Sequence, residues 1–228
     1  MRTKKILVVL TNTKQYGKHK EKTGLWLGEA TEFINFFQKS EINFEFDFIS
    51  PNGGKVPIDP RSLKYASEED IKLYNERWFI DKALNNSLKP SDVKNEQYDC
   101  IYFTGGHGVM WDFTNNKEIH DIALSIYKNN KIVSSVCHGI AGLLYLKDED
   151  NKFIIENKSI TGFTTWEEIL SGKYRKVPFL NKRVAIKNKA NFKTKRFYKP
   201  YALKDGNLIT GQNPFSVIKV AKLILEII

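Results

Sequence analysis

The order of apolar and polar residues along the chain alternates between strand patterns and helix patterns. Short runs rich in β-branched and aromatic residues predict strands at 4–10, 44–49, 100–104 and 132–136. Apolar residues at helical spacing predict helices at 25–39, 118–128 and 213–228. Less regular stretches suggest a helical turn at 140–146 and strand-like pieces at 159–163, 184–186 and 208–210. This alternation predicts an α/β protein with a flavodoxin-like, mostly parallel sheet and helices on both faces.

The stretch at 55–90 interrupts the alternation. A Ser-Pro-Asn-Gly-Gly cluster ends the strand before it, and Pro57 and Pro60 predict a long loop, followed by a polar helix at about 68–84. We interpret the stretch as a small inserted lid or cap. Because no repeat or low-complexity linker divides the chain, we expect a single domain that spans 1–228.

The composition is that of a folded protein without a membrane segment. Hydrophobic residues make up 41% of the chain and aromatic residues 13%, which is enough for a buried core. No apolar stretch approaches the roughly 20 residues that cross a bilayer. The first apolar run ends in Thr-Asn-Thr-Lys without a small-residue cleavage site, so it predicts a strand and not a signal peptide.

Charge and cysteine content narrow the compartment and the partners. The two cysteines, Cys100 and Cys137, are too few for a disulfide framework and predict a reducing, cytoplasmic environment. The net charge of +10 comes mostly from scattered lysines, which predicts a solvated surface and no nucleic acid partner. In the basic segment 182–199 aromatic residues stand among the lysines, which leaves nucleic acid binding as the alternative.

Cys137 is the candidate nucleophile. Ligands of open α/β sheets bind at the carboxyl ends of the strands, and Cys137 directly follows the predicted strand at 132–136. Gly139 permits a tight turn that would lift the thiol above the sheet, and the N-terminus of the next helix would lower the thiol pKa. His138 also argues against the alternative of an ordinary buried cysteine. Cys100 begins a strand without a glycine or histidine beside it, and we interpret it as core.

Two further positions suit a nucleophilic cysteine. The Gly-Gly-His-Gly run at 105–108 follows a predicted strand and offers unobstructed backbone N–H groups for an oxyanion, with Gly106 as the expected donor. A phosphate-binding loop is disfavoured, since the run lacks a Lys-Ser or Lys-Thr and a full dinucleotide fingerprint. Glu29 lies on the predicted first helix among apolar or small residues, so its carboxyl group is expected to be enclosed, although glutamates on helices are usually solvated.

The spacing of cysteines and histidines does not indicate a metal site. Cys137 and His138 are adjacent, and the chain has no C-x-x-C or H-x-x-x-H spacing. We therefore expect no metal.

An ordered series of motifs resembles the ThiJ/PfpI superfamily, whose fold is the flavodoxin-like sheet of glutamine amidotransferases. The series covers almost the whole chain and is similar to the larger chaperone and glyoxalase III branch. Its members are KTGLWLGE at 22–29, SPNGGKVPIDP at 50–60, TGGHGVMWD at 104–112, VCHGIAGLL at 136–144, TGFT at 161–164 and NLITGQNP at 207–214. A lone Cys-His-Gly would carry little weight, whereas the ordered series points to the fold and the branch together.

The resemblance implies a set of site residues and an activity. It implies Cys137 as nucleophile, His138 beside it, and a protonated Glu29 hydrogen-bonded to the thiolate. It also implies an acidic third member of a triad shortly after the Thr-Gly-Phe-Thr motif, for which we prefer Glu168 over Glu167. The implied activity is that of a glyoxalase III, or D-lactate dehydratase: a cofactor-independent lyase that converts methylglyoxal to lactate without glutathione. Family members are commonly homodimers.

In that reaction the thiolate adds to the aldehyde of a small dicarbonyl, and the N–H groups of Gly106 and His138 face the developing alkoxide. Protein deglycation is a related activity of the family. An amidotransferase is disfavoured because His138 is the only histidine after residue 120.

Other classes of function stay open at this point. A cysteine peptidase would use the same thiol, and a redox sensor would oxidise Cys137 to the sulfinate. A stress-induced holdase chaperone would bind unfolded clients through exposed aromatic residues. The candidates for that contact, for which core packing is the alternative, are Trp26, Trp78, Phe79, Trp111 and Trp166.

Overall fold

The computed structural model describes residues 2–94 and 97–228. Its strands are β1 (Lys4–Val9), β2 (Phe44–Ile49), β3 (Cys100–Phe103), β4 (Ile132–Val136), β5 (Ser159–Ile160), β6 (Asn191–Phe192), β7 (Ala202–Asp205) and β8 (Leu208–Gly211). Its α-helices are α1 (Leu27–Gln38), α2 (Glu68–Tyr74), α3 (Arg77–Phe79), α4 (Val109–Asp112), α5 (Lys117–Lys128), α6 (Thr165–Leu170), α7 (Asn181–Lys187) and α8 (Val217–Leu225).

Six strands form the central sheet, in the order β2-β1-β3-β4-β8-β7. Neighbouring strands are parallel except β7, which runs antiparallel to β8, and β5 pairs with β6 outside this sheet. Val9 pairs with Phe103 and Phe103 with Ser135, so the carboxyl ends of β1, β3 and β4 lie side by side. The predicted α/β fold with a mostly parallel sheet is confirmed, and Cys137 lies at the edge where such sheets bind ligands.

Apolar side chains cover both faces of the sheet. Ile6 and Val8 of β1 belong to the cluster that contains the buried side chains of α1 and α8, whereas Leu7 and Val9 belong to the cluster that contains those of α5. All four residues are fully buried. A strand that is buried on both faces is typical of a parallel sheet with helices on each side, as the alternation of patterns predicted.

The 55–90 segment differs in detail from the sequence prediction. A capping box formed by Ser67 and Asp70 starts α2 at the predicted residue. The single helix expected to 84 is wrong, because Asn75 caps α2, Glu76 has extended backbone angles, and α3 continues into a π-helical segment at Ile80–Asn85. Asparagine favours helix ends over helix interiors, which accounts for the break. The interpretation of this segment as a lid stays a prediction.

Two other sequence predictions need correction. The piece at 184–186 is helical and belongs to α7. Ala185 is buried and Ile186 is exposed, as on a helix with one buried face. Three residues are too few to distinguish this helical pattern from that of a strand. The apolar turn expected at 140–146 is a 3₁₀ turn at Cys137–Gly142 that begins at the cysteine itself.

Two further sequence predictions concern membrane-spanning helices and the exposure of aromatic residues. Among the helices of the described residues, none combines the length and the apolar character that crossing a bilayer requires. The aromatic residues considered as contacts for unfolded clients differ in exposure. Phe79 is fully buried, as core packing requires, whereas Trp166 has 68% of its surface exposed.

Candidate active site

A strained turn presents Cys137 at the end of β4. Its φ angle is +56°, in the left-handed region that residues with a side chain seldom adopt, and such strain is often retained at functional sites. Gly139 makes the turn possible, because a Cβ atom there would lie 2.3 Å from the carbonyl oxygen of Phe103. The thiol is 2% exposed and lines a pocket. Cys100 lies at the other end of the sheet in the core, fully buried.

The expectation that a helix N-terminus lowers the pKa of Cys137 is wrong. The element that starts at Cys137 is a six-residue 3₁₀ turn, and the effect of its first N–H groups on the thiol pKa is smaller than that of burial. Burial raises the thiol pKa well above its ordinary value, and Glu29 raises it further when charged, whereas the His138 backbone N–H lowers it. Removal of the thiol proton therefore needs a base in the site.

Glu29 is a buried carboxylic acid next to this thiol. It lies in the first turn of α1, and its Oε2 accepts the Gly105 N–H at 2.5 Å. Among the described residues Oε1 has no hydrogen-bond partner. Burial raises the pKa of Glu29 to about 8, although the neighbouring Cys137 thiol and the Gly105 N–H oppose the shift. Glu29 is therefore protonated at neutral pH, and the charge that would raise the pKa of Cys137 is absent.

His138 connects Cys137 to a second buried glutamate. His138 Nδ1 lies 3.3 Å from Cys137 Sγ, and Nε2 lies 2.9 Å from Glu168 Oε2. The other carboxylate oxygen, Oε1, lies 2.8 Å from His107 Nε2. Burial alone would raise the pKa of Glu168, but electrostatic interactions and hydrogen bonds with His138 and His107 hold it well below its ordinary value. Glu168 is thus ionised, and the geometry is that of a Cys-His-Glu triad.

The network also fixes where the imidazole protons lie. Arg61 Nη2 lies 3.1 Å from His107 Nδ1, and because a guanidinium only donates, Nδ1 accepts and the His107 proton is on Nε2. Burial lowers the pKa of His107 to about 4, so the ring is neutral. His138 likewise donates from Nε2 to Glu168, which leaves its Nδ1 as an acceptor facing the thiol. His138 is therefore oriented to take the thiol proton.

Glu167, the other acid considered after the Thr-Gly-Phe-Thr motif, points elsewhere. It forms a capping box with Thr164 at the start of α6. Its Oε1 accepts from the side chains of Gln212 and Asn213 and from the backbone of Tyr198. Glu167 thus ties α6 to the loop after β8, whereas Glu168 reaches the histidines.

The Gly-Gly-His-Gly run reaches the same pocket. Gly106 has a φ of +94°, and a Cβ atom there would lie 2.2 Å from the carbonyl oxygen of Gly24, so only glycine fits. Among the hydrogen bonds of the described residues, its N–H has no acceptor. Gly106 lines the pocket together with Cys137 and His138, and its N–H is available to an oxyanion.

His107, His138 and Glu168 are close enough to be considered as metal ligands, with donor atoms within 4.8 Å of one another. In the observed network both Nε2 atoms carry protons that bind Glu168. His107 could release its Nε2 only by moving the proton to Nδ1, where it would oppose the donor group of Arg61. The arrangement favours a proton network over a metal centre.

The sequence reasoning missed two participants in this network. His107 was considered only as part of a glycine-rich run, although a histidine at the carboxyl end of a strand was a usable signal. Arg61 had no signal, because its contacts with Asp59, His107 and the hydroxyl of Tyr16 join distant parts of the chain.

Comparisons with known proteins agree with this architecture. The model of the DJ-1/PfpI family matches residues 29–227. The glutathione-independent glyoxalase HSP31 of Saccharomyces cerevisiae is 32% identical over 97% of this chain and 96% of its own length. Glyoxalase 3 of Candida albicans is 31% identical over 96% of this chain and 95% of its own.

Solved structures agree as well. The crystal structure of glyoxalase III from Candida albicans superposes with a TM-score of 0.87 at 28% identity, covering 98% of this chain and 96% of that one. Rapid Encystment Protein 24 KDa (REP24) of Francisella tularensis superposes with a TM-score of 0.91 at 37% identity, covering 98% of each chain. The sequence motifs, the sheet and these matches together establish that the chain belongs to the DJ-1/PfpI family.

Proposed function

We propose that this chain is a glutathione-independent glyoxalase that converts methylglyoxal to lactate, with Cys137 as the nucleophile. One observation carries the proposal: the same sulfur adjoins a protonated acid, Glu29, and a base, His138, whose other nitrogen binds the ionised Glu168. The relatives that match over nearly the full length bear the name of this activity. No metal or cofactor is required in this mechanism.

The first step forms a carbon–sulfur bond. His138 Nδ1 takes the thiol proton, and the sulfur of Cys137 adds to the aldehyde carbon of methylglyoxal. The carbonyl electron pair becomes an alkoxide, which faces the backbone N–H groups of Gly106 and His138. Glu29 donates its proton to the alkoxide, which gives a hemithioacetal and leaves Glu29 as a carboxylate.

The second step moves one hydrogen between the two carbons. The Glu29 carboxylate takes the hydrogen of the first carbon as a proton, and an enediolate forms. After a proton passes between the two oxygens, Glu29 returns its proton to the second carbon. The first carbon has been oxidised to a thioester and the second reduced to an alcohol within the same molecule, so the step needs no external oxidant or reductant.

Hydrolysis completes the cycle. Water adds to the thioester carbonyl, whose oxyanion again faces Gly106, and the carbon–sulfur bond breaks. His138 returns its proton to the sulfur of Cys137, and one proton of the water restores Glu29. Lactic acid leaves as lactate and a proton. Because Glu29 must start protonated, activity is expected to fall as the pH rises through about 8.

The test is lactate formation from methylglyoxal without glutathione, by wild type, Cys137→Ala and Cys100→Ala. We expect wild type and Cys100→Ala to form lactate at similar rates and Cys137→Ala to form none above background. Cys100 is a matched control, since both cysteines are free and buried. Lactate formation by Cys137→Ala at the wild-type rate, or by none of the three proteins, would refute the proposal.

We further propose that the enzyme works in the cytoplasm as a homodimer. The two free cysteines suit a reducing compartment. Apolar side chains of α6 and α7 remain exposed, among them Trp166 at 68% and Ile186 at 54%, and could contribute to a twofold interface. Sedimentation of a protein with the mass of a single 26.4 kDa chain would contradict the dimer.

A further inference from the structure

The pocket above Cys137 is much larger than methylglyoxal requires. Its volume is about 630 Å³, within the range of pockets that enclose drug-sized ligands, whereas methylglyoxal has three carbons. A three-carbon substrate would leave most of this space to water. The size therefore favours a substrate that carries a larger group behind its reactive aldehyde.

Aromatic side chains form two walls of the pocket. Trp26 and Tyr65 make one wall, with ring centroids 5.6 Å apart. Phe163, Tyr198 and Phe215 make the other. The ring centroid of Tyr198 lies 6.4 Å from that of Phe163 and 6.3 Å from that of Phe215. Much of this surface is open, since Tyr65 is 65% exposed and Phe215 48%. Exposed aromatic rings lining a cleft suit a flat apolar body such as an aryl ring.

Cationic side chains line the pocket, whereas the ionised Glu168 lies behind the two histidines that bind it. Two cations, Arg61 and Lys64, line the pocket, and its lining includes no aspartate or glutamate. Asp59 neutralises Arg61 through a contact of 2.6 Å. Lys64 is exposed and takes part in none of the ion pairs of the described residues. An uncompensated ammonium group therefore lies at the pocket and attracts anionic groups.

We propose that the preferred substrates are 2-oxoaldehydes that carry a flat apolar body and an anionic group at its far end. The aldehyde lies at Cys137, the body against the aromatic side chains and the anionic group toward Lys64. Arg61, Lys64 and Tyr65 all come from the 55–90 segment, so this segment supplies selectivity for the larger substrates. The inference rests on the proposed function and adds a substrate class to it; the reaction at the two carbonyl carbons is the same.

The test compares kcat/KM for methylglyoxal, phenylglyoxal and 4-carboxyphenylglyoxal in wild type and Lys64→Glu. We expect wild type to prefer phenylglyoxal over methylglyoxal, and 4-carboxyphenylglyoxal over phenylglyoxal. Lys64→Glu should lower the ratio of kcat/KM for 4-carboxyphenylglyoxal to kcat/KM for phenylglyoxal about two- to tenfold, since exposed ion pairs contribute modest free energies. Lys187→Glu, the same charge change at an exposed residue that does not line this pocket, should leave the ratio unchanged.

A binding measurement separates this inference from the proposed function. Calorimetry with Cys137→Ala should show tighter binding of 4-carboxyphenylglyoxal than of phenylglyoxal, and the difference should disappear when Lys64→Glu is added. Turnover of methylglyoxal without any preference for the aryl or carboxylate groups would overturn the inference and leave the function standing. Absence of turnover together with Lys64-dependent binding would refute the function and support the ligand class.

Discussion

Two buried glutamates from different elements belong to the site, Glu29 beside Cys137 and Glu168 behind His138, and their protonation states are opposite. Glu29, on α1, has one hydrogen bond, from Gly105, to one oxygen, and burial raises its pKa to about 8. Glu168, on α6, is just as enclosed, yet two imidazoles bind its oxygens and its pKa lies well below the ordinary value. Partners, and not burial alone, determine whether a carboxyl group at this site is an acid or an anion.

The opposite protonation states of Glu29 and Glu168 indicate a different chemical role for each. When two carboxyl groups near one nucleophile have pKa values that are pushed apart, the protonated one can donate a proton and the ionised one can orient a base. Glu29 fits the first role and Glu168 the second. The following tests change one of the two glutamates, or the Glu168 partner His107, at a time.

The largest effect is expected from Glu168→Gln. The amide can donate to His138 Nε2, which would move the imidazole proton to Nδ1 and leave no base for the thiol. By analogy with other triads, we expect kcat/KM to fall roughly 10³- to 10⁴-fold. Alkylation of Cys137 by iodoacetamide should slow as well. Glu167→Gln is the matched control, since Glu167 contacts other partners, and an equal loss in both variants would contradict the assignment.

A smaller loss is expected from Glu29→Gln. The amide keeps an acceptor for the Gly105 N–H but cannot donate and retake a proton, so kcat should fall about 10²- to 10³-fold. His138 and Glu168 are untouched, and Cys137 should therefore be alkylated as fast as in wild type. Slow alkylation of Glu29→Gln would show that Glu29 acts on the thiol before substrate binds.

The same variant should change how stability depends on pH. The pKa of Glu29 is about 8 in the folded protein and 4.5 ordinarily, so between these values the folded state holds a proton that the unfolded chain has lost. The free energy of unfolding of wild type therefore falls as the pH rises through this window. Glu29→Gln lacks this pH dependence. At the upper end of the pH window, its free energy of unfolding should exceed that of wild type by at most roughly 5 kcal/mol. Urea unfolding of both proteins at the two ends of this window measures the difference. If the free energies of unfolding of wild type and Glu29→Gln changed equally with pH, the raised pKa of Glu29 would be contradicted.

The smallest effect is expected from His107→Asn. His107 donates to Glu168 but does not contact Cys137, so it is a positioning residue. Its loss removes one hydrogen bond to the carboxylate and should lower kcat about tenfold with little change in KM. The pKa of Glu168 should rise, which would move the acid limb of the pH profile upward. An unchanged acid limb would show that His107 is merely structural.

Local patterns predicted the parts of the fold and site that depend on local sequence. The strands at 44–49 and 132–136 match the structure to the residue, because their apolar runs end at clear breaks. Gly139 indicated the turn at Cys137. The preference for Glu168 over Glu167 came from the family resemblance, although a local signal was available: Thr164-x-x-Glu167 has the spacing of a capping box, which places Glu167 at the start of α6.

Long-range contacts account for what the sequence did not reveal. The contact between Arg61 and His107 joins a loop in the 55–90 segment to the end of β3, and no spacing rule connects them. The raised thiol pKa was missed because it depends on how completely Cys137 is buried, which is a property of the packed structure. The N-terminus that was expected to lower it belongs to a short 3₁₀ turn, and burial outweighs its effect.

The most direct test of the central claim is to observe the protonation of Glu29. Infrared difference spectra of wild type against Glu29→Gln should show a protonated carboxyl band at neutral pH that titrates away with a midpoint near 8. That result would identify Glu29 as the acid beside Cys137. Absence of the band at neutral pH would mean that Glu29 is ionised and would contradict the division of roles between the two glutamates.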